Sequence, residues 1–152
     1  MEWRIKTFSE LSPLELYRIL QLRINVFMLE QTCLYPECDD KDLKGKHLFA
    51  MHEDICVAYT RLLPPDVSYP NCSSIGRVAV HQDHRKHQYG RELMIRSIES
   101  LKTDFPRHPI RISAQEYLKK FYIGLGFQIT SDVYLEDNIP HVEMVLYLDD
   151  RL

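Results

Sequence analysis

Residues 73–101 read SSIGRVAVHQDHRKHQYGRELMIRSIESL, and the order of these 29 residues decides the fold. The first eight, SSIGRVAV, are small and β-branched side chains of the kind a strand uses. After Gly90, the apolar residues Leu93, Met94, Ile98 and Leu101 recur at i, i+1, i+5 and i+8, which is one face of a helix. Between strand and helix lies HRKHQYGREL, residues 84–93, the densest basic cluster of the chain. The first turn of a helix carries unpaired backbone N–H groups and the positive end of the dipole, so it holds anions well. Arg85, Lys86 and Arg91 would strengthen such a cradle; a solvated charged turn is the other reading of the same residues.

Upstream, EWRIKTF (2–8) alternates as a first strand. SPLE, from Ser12 to Glu15, is a capping box with proline at the first helical position. Tyr17, Leu20, Ile24, Phe27 and Met28 follow at helical spacing, which predicts a helix to about Leu29 with that stripe in the core. From Gln31 to Lys46 the chain is polar, with Pro36 and an acid cluster at Glu37, Asp39, Asp40 and Asp42; a loop of that length points to function. HLFAMHEDICVAYTRLLP (47–64) predicts a hairpin turning at Glu53 and Asp54. Downstream, RHPIRISAQ (107–115) supplies a strand, EYLKKFYIGLGF (116–127) a helix closed by glycine, and QITSDVYL (128–135) with HVEMVLYL (141–148) a closing hairpin. The sum is a mixed α/β, or α+β, chain of one domain spanning residues 1–152, without repeats or a linker.

Composition narrows the partners. With 45% hydrophobic and 27% charged residues the chain has the make-up of an ordinary soluble globular protein. A net charge of -3 argues against a general nucleic-acid binder, which needs a broad positive field; the basic cluster is local and suits a small anion better than a polymer. No window approaches a bilayer-spanning stretch, and MEWRIKTFSE holds no apolar run of signal-peptide length, so a cytoplasmic location without membrane association is expected. There Cys33, Cys38, Cys56 and Cys72 would stay reduced. Cys33, Cys38, His47 and His52 loosely imitate a Cys-Cys-His-His site, but the intervening loop is short and a strand would turn the two histidines to opposite faces, so no metal is expected.

Two segments together carry a family resemblance. Arg85-Lys86-His87-Gln88-Tyr89-Gly90 resembles the cofactor loop of the GNAT superfamily of acetyl-CoA-dependent N-acetyltransferases, an Arg/Gln-x-x-Gly-x-Gly/Ala pattern after a strand. Gln115 to Phe127 resembles the family's Asn-x(6)-Tyr-x(3)-Gly-Phe helix, with Gln115 in the asparagine place and Tyr122 in the tyrosine place. LQLRINVFMLEQ, IGRVAV and YLEDNIPHVEM are similar to the ElaA-like branch, so the resemblance spans nearly the whole chain. It implies the GNAT fold: a central, twisted, mostly antiparallel sheet with a splayed parallel strand pair, flanked by helices. Gln88 stands where the family has its first glycine; glycine lets a backbone approach a pyrophosphate closely, so the departure bears on affinity. With Gln88 at negative φ the amides would still point inward.

The resemblance also implies a reaction, direct attack of an amine on the thioester of acetyl-CoA. Splayed strands leave backbone groups unpaired, and the pantetheine arm would pair with Val78, Ala79 and Val80 like an added strand. The thioester carbonyl would then lie near a backbone N–H such as that of Val80, which would stabilise a developing oxyanion. Arg85, Lys86, His87, Gln88, Tyr89, Gly90 and Arg91 would hold the diphosphate, with Gln115 also at the cofactor. The leaving thiol has a pKa near ~8.5 by analogy with cysteine, and Tyr122 is the implied donor to it; a core tyrosine is its other reading. An amine of pKa ~10.4 must lose a proton, and Glu30 and His141 are the candidates to receive it. A helix-end glutamate facing water and a strand-end histidine bonded to a loop carbonyl are the alternatives.

Arg77 could bind an anionic part of the acceptor or pair with the acids at Asp39 to Asp42. Those acids would favour a cationic acceptor, whether small molecule or peptide, if their loop borders the pocket. Homodimers are common among such folds, and the chain carries no signature of one. The opposing readings are a CoA-binding or interaction module without turnover and nucleic-acid binding by residues 84–91, the latter disfavoured by the acidic balance.

Overall fold

A computed structural model describes residues 1–148. The chain opens with strand β1 (Glu2–Thr7) and enters helix α1 (Pro13–Arg23) through the expected capping box: the Ser12 hydroxyl accepts from the Glu15 N–H at 3.0 Å, and the Ser12 N–H donates to Glu15 Oε1 at 2.8 Å. The helix does not stop at Arg23 but widens into a π-helical turn, Ile24–Glu30, a winding frequent at functional sites. The buried face of this helix differs from the expected one. Ile19, Leu22 and Val26 are buried, whereas Tyr17 and Ile24 face solvent. Polar residues cause the shift. Glu15 is buried beneath Arg4 and Lys6, and Arg23 is wholly buried among carboxylates, so an apolar count alone selects the wrong stripe.

Strands β2 (Lys46–His52) and β3 (Ile55–Leu63) form the expected hairpin, with Glu53 and Asp54 at φ 47° and 71° as a tight two-residue turn requires. β3 is buried almost end to end because both faces of the sheet are covered. On one side α1 packs on Phe49, Met51, Tyr59 and Ala79; on the other, α2 (Tyr89–Asp104) and α3 (Lys119–Gly124) lay Leu93, Met94, Leu101 and Tyr122 on Leu48, Ala50, Leu62 and Ile112. The sheet runs β1-β2-β3-β4-β5-β8-β6, with β7 also on β8; β4 is Ser73–Val80, β5 Ile110–Gln115, β6 Gln128–Ile129, β7 Tyr134–Glu136 and β8 Ile139–Leu146. Every pairing is antiparallel except β4 with β5. This is the mixed α/β architecture expected of the GNAT fold.

Two segments depart from expectation. Residues 116–127 do not form one helix: Glu116–Leu118 is a 3₁₀ turn, and α3 holds six residues before Gly126, at φ 105°, ends it. The strand expected at 128–135 breaks in two because the Ser131 hydroxyl takes the Glu143 N–H at 2.9 Å and Thr130 donates to Glu143, replacing part of the ladder by side-chain bonds. No described helix is long and apolar enough to cross a membrane.

Candidate active site

The parallel pair decides the site. β4 and β5 are bonded only at their starts, Ser73 with Ile110 and Ser74 with Arg111. Beyond that the strands part. β4 is bulged there: Tyr59 faces Ala79 while Arg61 faces Gly76, so β4 carries one residue more than β3 across the same interval. Arg77, at φ 52°, takes the left-handed conformation that the bulge needs. The result is a cleft of about 510 Å³ between the two strands, closed at one end by α2 and α3 and at the other by the β7–β8 turn.

Glu30, Val78, Val80, Arg85, Gly90, Gln115, Tyr122 and His141 all line this cleft, although they are scattered over more than a hundred positions of the chain. The other candidates lie elsewhere. Ala79 is buried in the core under α1. Lys86 is exposed, the Tyr89 ring lies tilted against those of His84 and His87, and His87, Gln88 and Arg91 border a second, more open concavity along α2. Gln88 is at φ 56°, not at the negative φ expected, so a side chain with a Cβ occupies a conformation that glycine adopts freely.

Tyr122 is 6% exposed, with its ring edge-on to Phe121 and Phe127. Its hydroxyl bonds no described residue, and burial, with Tyr117 adding to it, pushes that hydroxyl up to about 12. His141 is 5% exposed; its Nδ1–H donates to the Ile139 carbonyl at 2.7 Å. That bond assigns the tautomer and leaves the Nε2 lone pair free, with a Glu136 carboxylate oxygen 3.8 Å away. Glu30 is paired: its carboxylate holds the Arg85 guanidinium at 2.8 Å, while Arg85 Nε donates to the Val80 carbonyl at 3.1 Å.

Residues 30–33 form a strap across the cleft. Glu30 bonds Arg85, Gln31 accepts from Gln115 Nε2 at 3.3 Å, and the Cys33 thiol donates to the Asp137 carbonyl at 3.7 Å. Three of four consecutive residues thus touch the β4–α2 loop, the end of β5 and the β7–β8 turn.

The acid cluster does not face the cleft. Asp42 accepts from Arg23 Nη1 at 2.8 Å and from Arg61 Nη1 at 3.0 Å, Asp39 from Arg61 at 2.8 Å, and Glu37 from Arg23 and the Tyr35 hydroxyl. Arg77 joins this network, 3.2 Å from Glu37 and 3.4 Å from Asp39, with Tyr35 under its guanidinium. Of the two roles open to Arg77, the ion pair is the one taken. Burial alone would raise the Asp42 carboxyl, but its bonds to Arg23 and the charges of Arg23 and Arg61 outweigh that and hold it below the usual carboxylate range. The basis for a cationic acceptor in residues 37–42 is therefore lost: from this loop only Gln31, Cys33 and Tyr35 line the cleft.

Both ring nitrogens of His47 are used within the fold, Nδ1 with the Tyr59 hydroxyl at 2.6 Å and Nε2 with the Asp42 carbonyl at 2.9 Å. Among the described residues no group of three or more His, Cys, Asp or Glu is arranged for a metal ion.

Whether a coenzyme suits the cleft can be judged from its glycines. A Cβ added at Gly76 would meet nothing within 4 Å, and one at Gly90 only Val80 Cγ2 at 3.9 Å. Packing within the chain gives neither position a reason to be glycine, and both border the cleft, where a ligand backbone would pass. Together with the unpaired edges of β4 and β5, this fits an extended amide chain.

The known proteins agree. A family model described as an acetyltransferase (GNAT) domain matches residues 23–148. The chain belongs to the GNAT acetyltransferase family. It is 45% identical over 150 residues to a UPF0039 protein of Schizosaccharomyces pombe, covering 97% of this chain and 98% of that one. To the crystal structure of Escherichia coli ElaA it is 38% identical with a TM-score of 0.89, over 96% of this chain and 99% of the other. An acyl-CoA N-acyltransferase from Pseudomonas aeruginosa is similar at 39% identity and a TM-score of 0.90, over 95% and 98%. Acyl transfer from an acyl-CoA is thus the chemistry of the family to which this GNAT domain belongs.

Phe27, Cys33, Tyr35, Ser113, Tyr117, Glu136 and Asp137 also line the cleft of this family member, and none was foreseen. Asp137 and its neighbour Asn138 carry a turn signal only, and nothing local in the sequence says that the β7–β8 turn closes a cleft begun 60 residues earlier.

Proposed function

We propose that the protein is a cytoplasmic enzyme that transfers an acetyl group from acetyl-CoA to a primary amine. One observation carries this reading: the unpartnered hydroxyl of a buried tyrosine, Tyr122, and the free Nε2 of a buried histidine, His141, border the same cleft. The coenzyme supplies an activated acyl group on a thiol leaving group; the chain supplies position and protons. The edge of β4 at Gly76 and Val78, which no strand pairs, takes the pantetheine amides, with Gly76 and Gly90 leaving room for them. Arg85 is committed to Glu30 and Val80, so the diphosphate falls to the α2-entrance amides with Lys86 and Arg91.

Tyr122 gives a hydrogen bond to the departing sulfur. Burial raises its hydroxyl to about 12, so it stays protonated and able to donate at neutral pH. His141 Nε2 takes the amine proton, and the Glu136 carboxylate at 3.8 Å stabilises the resulting imidazolium. Glu30, both oxygens on Arg85, serves as a tie across the cleft and not as the base.

The test is calorimetric titration with acetyl-CoA followed by an amine screen read by free-thiol release. Binding with amine-dependent release supports the reading. No binding at millimolar acetyl-CoA, or binding without release from any amine, defeats it, and the second outcome would leave a CoA-binding module.

A further inference from the structure

We propose that the acceptor carries a second positive charge besides the amine that is acylated, and that Glu136 and Asp137 on the β7–β8 turn read it. This rests on the acyl-transfer reading and names its acceptor class. The charged side chains bordering the cleft are Glu30, Arg77, Arg85, Glu136 and Asp137, with His141 between the last two and the strands. Both cations are neutralised within the fold, Arg85 by Glu30 and Arg77 by Glu37 and Asp39. The two turn carboxylates are not. Glu136 accepts from the Ser113 hydroxyl at 3.0 Å and lies 3.8 Å from His141 Nε2, and no lysine or arginine pairs with the Glu136 or Asp137 carboxylate among the described residues. The acceptor end of the cleft is therefore an uncompensated double negative.

The position of the turn is built, not loose. Asp137 and Asn138 are at φ 50° and 64°, which fixes a two-residue hairpin, and the Asp137 carbonyl is bonded to the Cys33 thiol across the cleft. The same cleft is lined by two buried side chains with unused polar atoms, His141, which lies beside Glu136, and Tyr122. An amine lodged at His141 Nε2 therefore has Glu136 within reach of any cationic group it carries further along, and an acceptor carboxylate there would meet repulsion. The acceptors favoured are diamines and dibasic compounds; free amino acids of similar length are rejected.

The experiment uses three amines of equal carbon length: 1,4-diaminobutane, n-butylamine and 4-aminobutanoate. Turnover is read by thiol release with acetyl-CoA, and affinity by calorimetry with the protein saturated in coenzyme A. The diamine is expected to exceed butylamine about tenfold in kcat/KM, with 4-aminobutanoate lowest: about twofold from its two equivalent amines and about fivefold from the two exposed carboxylates together. The preference should shrink as ionic strength rises, which a purely steric preference would not do. Glu136→Gln and Asp137→Asn should each reduce the ratio and the double variant bring it to about twofold, with Glu136→Asp restoring part of it; a thermal melt checks that each variant is folded. Equal use of diamine and butylamine overturns the proposal, as does a preference that survives in the double variant. If no amine releases thiol but the diamine still binds the coenzyme A complex more tightly than butylamine, the charge reading stands and acyl transfer fails; if the affinities are also equal or absent, both fail.

Discussion

Replacing Tyr122 by phenylalanine separates a proton donor from a core residue. The substitution removes one oxygen and keeps the ring, whose contacts with Phe121 and Phe127, at centroid distances of 5.1 and 6.0 Å, account for its packing. Because the hydroxyl bonds no described residue, its loss breaks no internal hydrogen bond, and stability should change by no more than about 0.5 kcal/mol. Catalysis should change far more. A positioned general acid contributes about 10²–10⁴ in rate, or roughly 2.7–5.4 kcal/mol at 1.36 kcal/mol per factor of ten. The assay is kcat by thiol release at saturating acetyl-CoA and amine, beside a urea melt and the acetyl-CoA dissociation constant. Wild type should also show no loss of kcat from this group up to pH 10, since a hydroxyl raised to about 12 is still protonated there. A variant with kcat within threefold of wild type, or one that loses about 2 kcal/mol of stability along with its activity, would refute the reasoning.

Three further outcomes concern the scaffold. Arg23→Met removes one of the two arginines from each of the buried Asp42 and Glu37 carboxylates, leaving Arg61 to Asp42 and Arg77 to Glu37, and should cost about 3 kcal/mol, seen as a melting temperature lower by roughly 10 °C; adding Asp42→Asn and Glu37→Gln should recover part of it, and a loss below about 1 kcal/mol would show Arg23 to be dispensable. Gln88→Gly should raise stability by up to about 1 kcal/mol by relieving the left-handed backbone, and Gln88→Val should lower it by at least about 1 kcal/mol; identical melts for the two would contradict the observed φ. Glu15, Asp39 and Asp42 are held below the usual carboxylate range despite the opposing effect of burial, by the Ser12 N–H, Lys6 and Arg4 for Glu15 and by arginines for the aspartates. Depressed folded carboxylate values give stability that is complete above the unfolded pKa, near ~4, and is lost as pH falls through the folded values, while His47, lowered by burial, loses stability as pH falls below the unfolded value near ~6.5; the melting temperature should therefore decline gently below about pH 6.5 and steeply below about 4, and a curve flat down to about pH 3 would contradict both.

How much of this was legible in advance depended on distance along the chain. The capping box at Ser12, the turn at Glu53 and Asp54, and the handover from β4 to α2 each rest on a few adjacent residues, and each appears as expected. The stripe of α1 was misjudged because Arg23 looks like a surface residue until its carboxylates, 14 and 19 positions later, fold over it. The acid cluster was legible as a cluster, but not the direction in which it points. Its partners Arg23, Arg61 and Arg77 come from one helix and two strands, and only their convergence turns the carboxylates inward.

By itself the amino-acid order determined the local units and their succession: a strand that passes its end to a basic helix entrance, and a tyrosine near a terminating glycine. Periodicity and capping are short-range, so these are written in neighbouring residues. Only the tertiary structure decided that β4 and β5 separate after two pairs, that Tyr122 and His141 border the same gap, and that Glu136 and Asp137 stand on it without a lysine or arginine partner among the described residues. Those are properties of space between segments far apart in sequence, and no local pattern encodes which charges will find partners there.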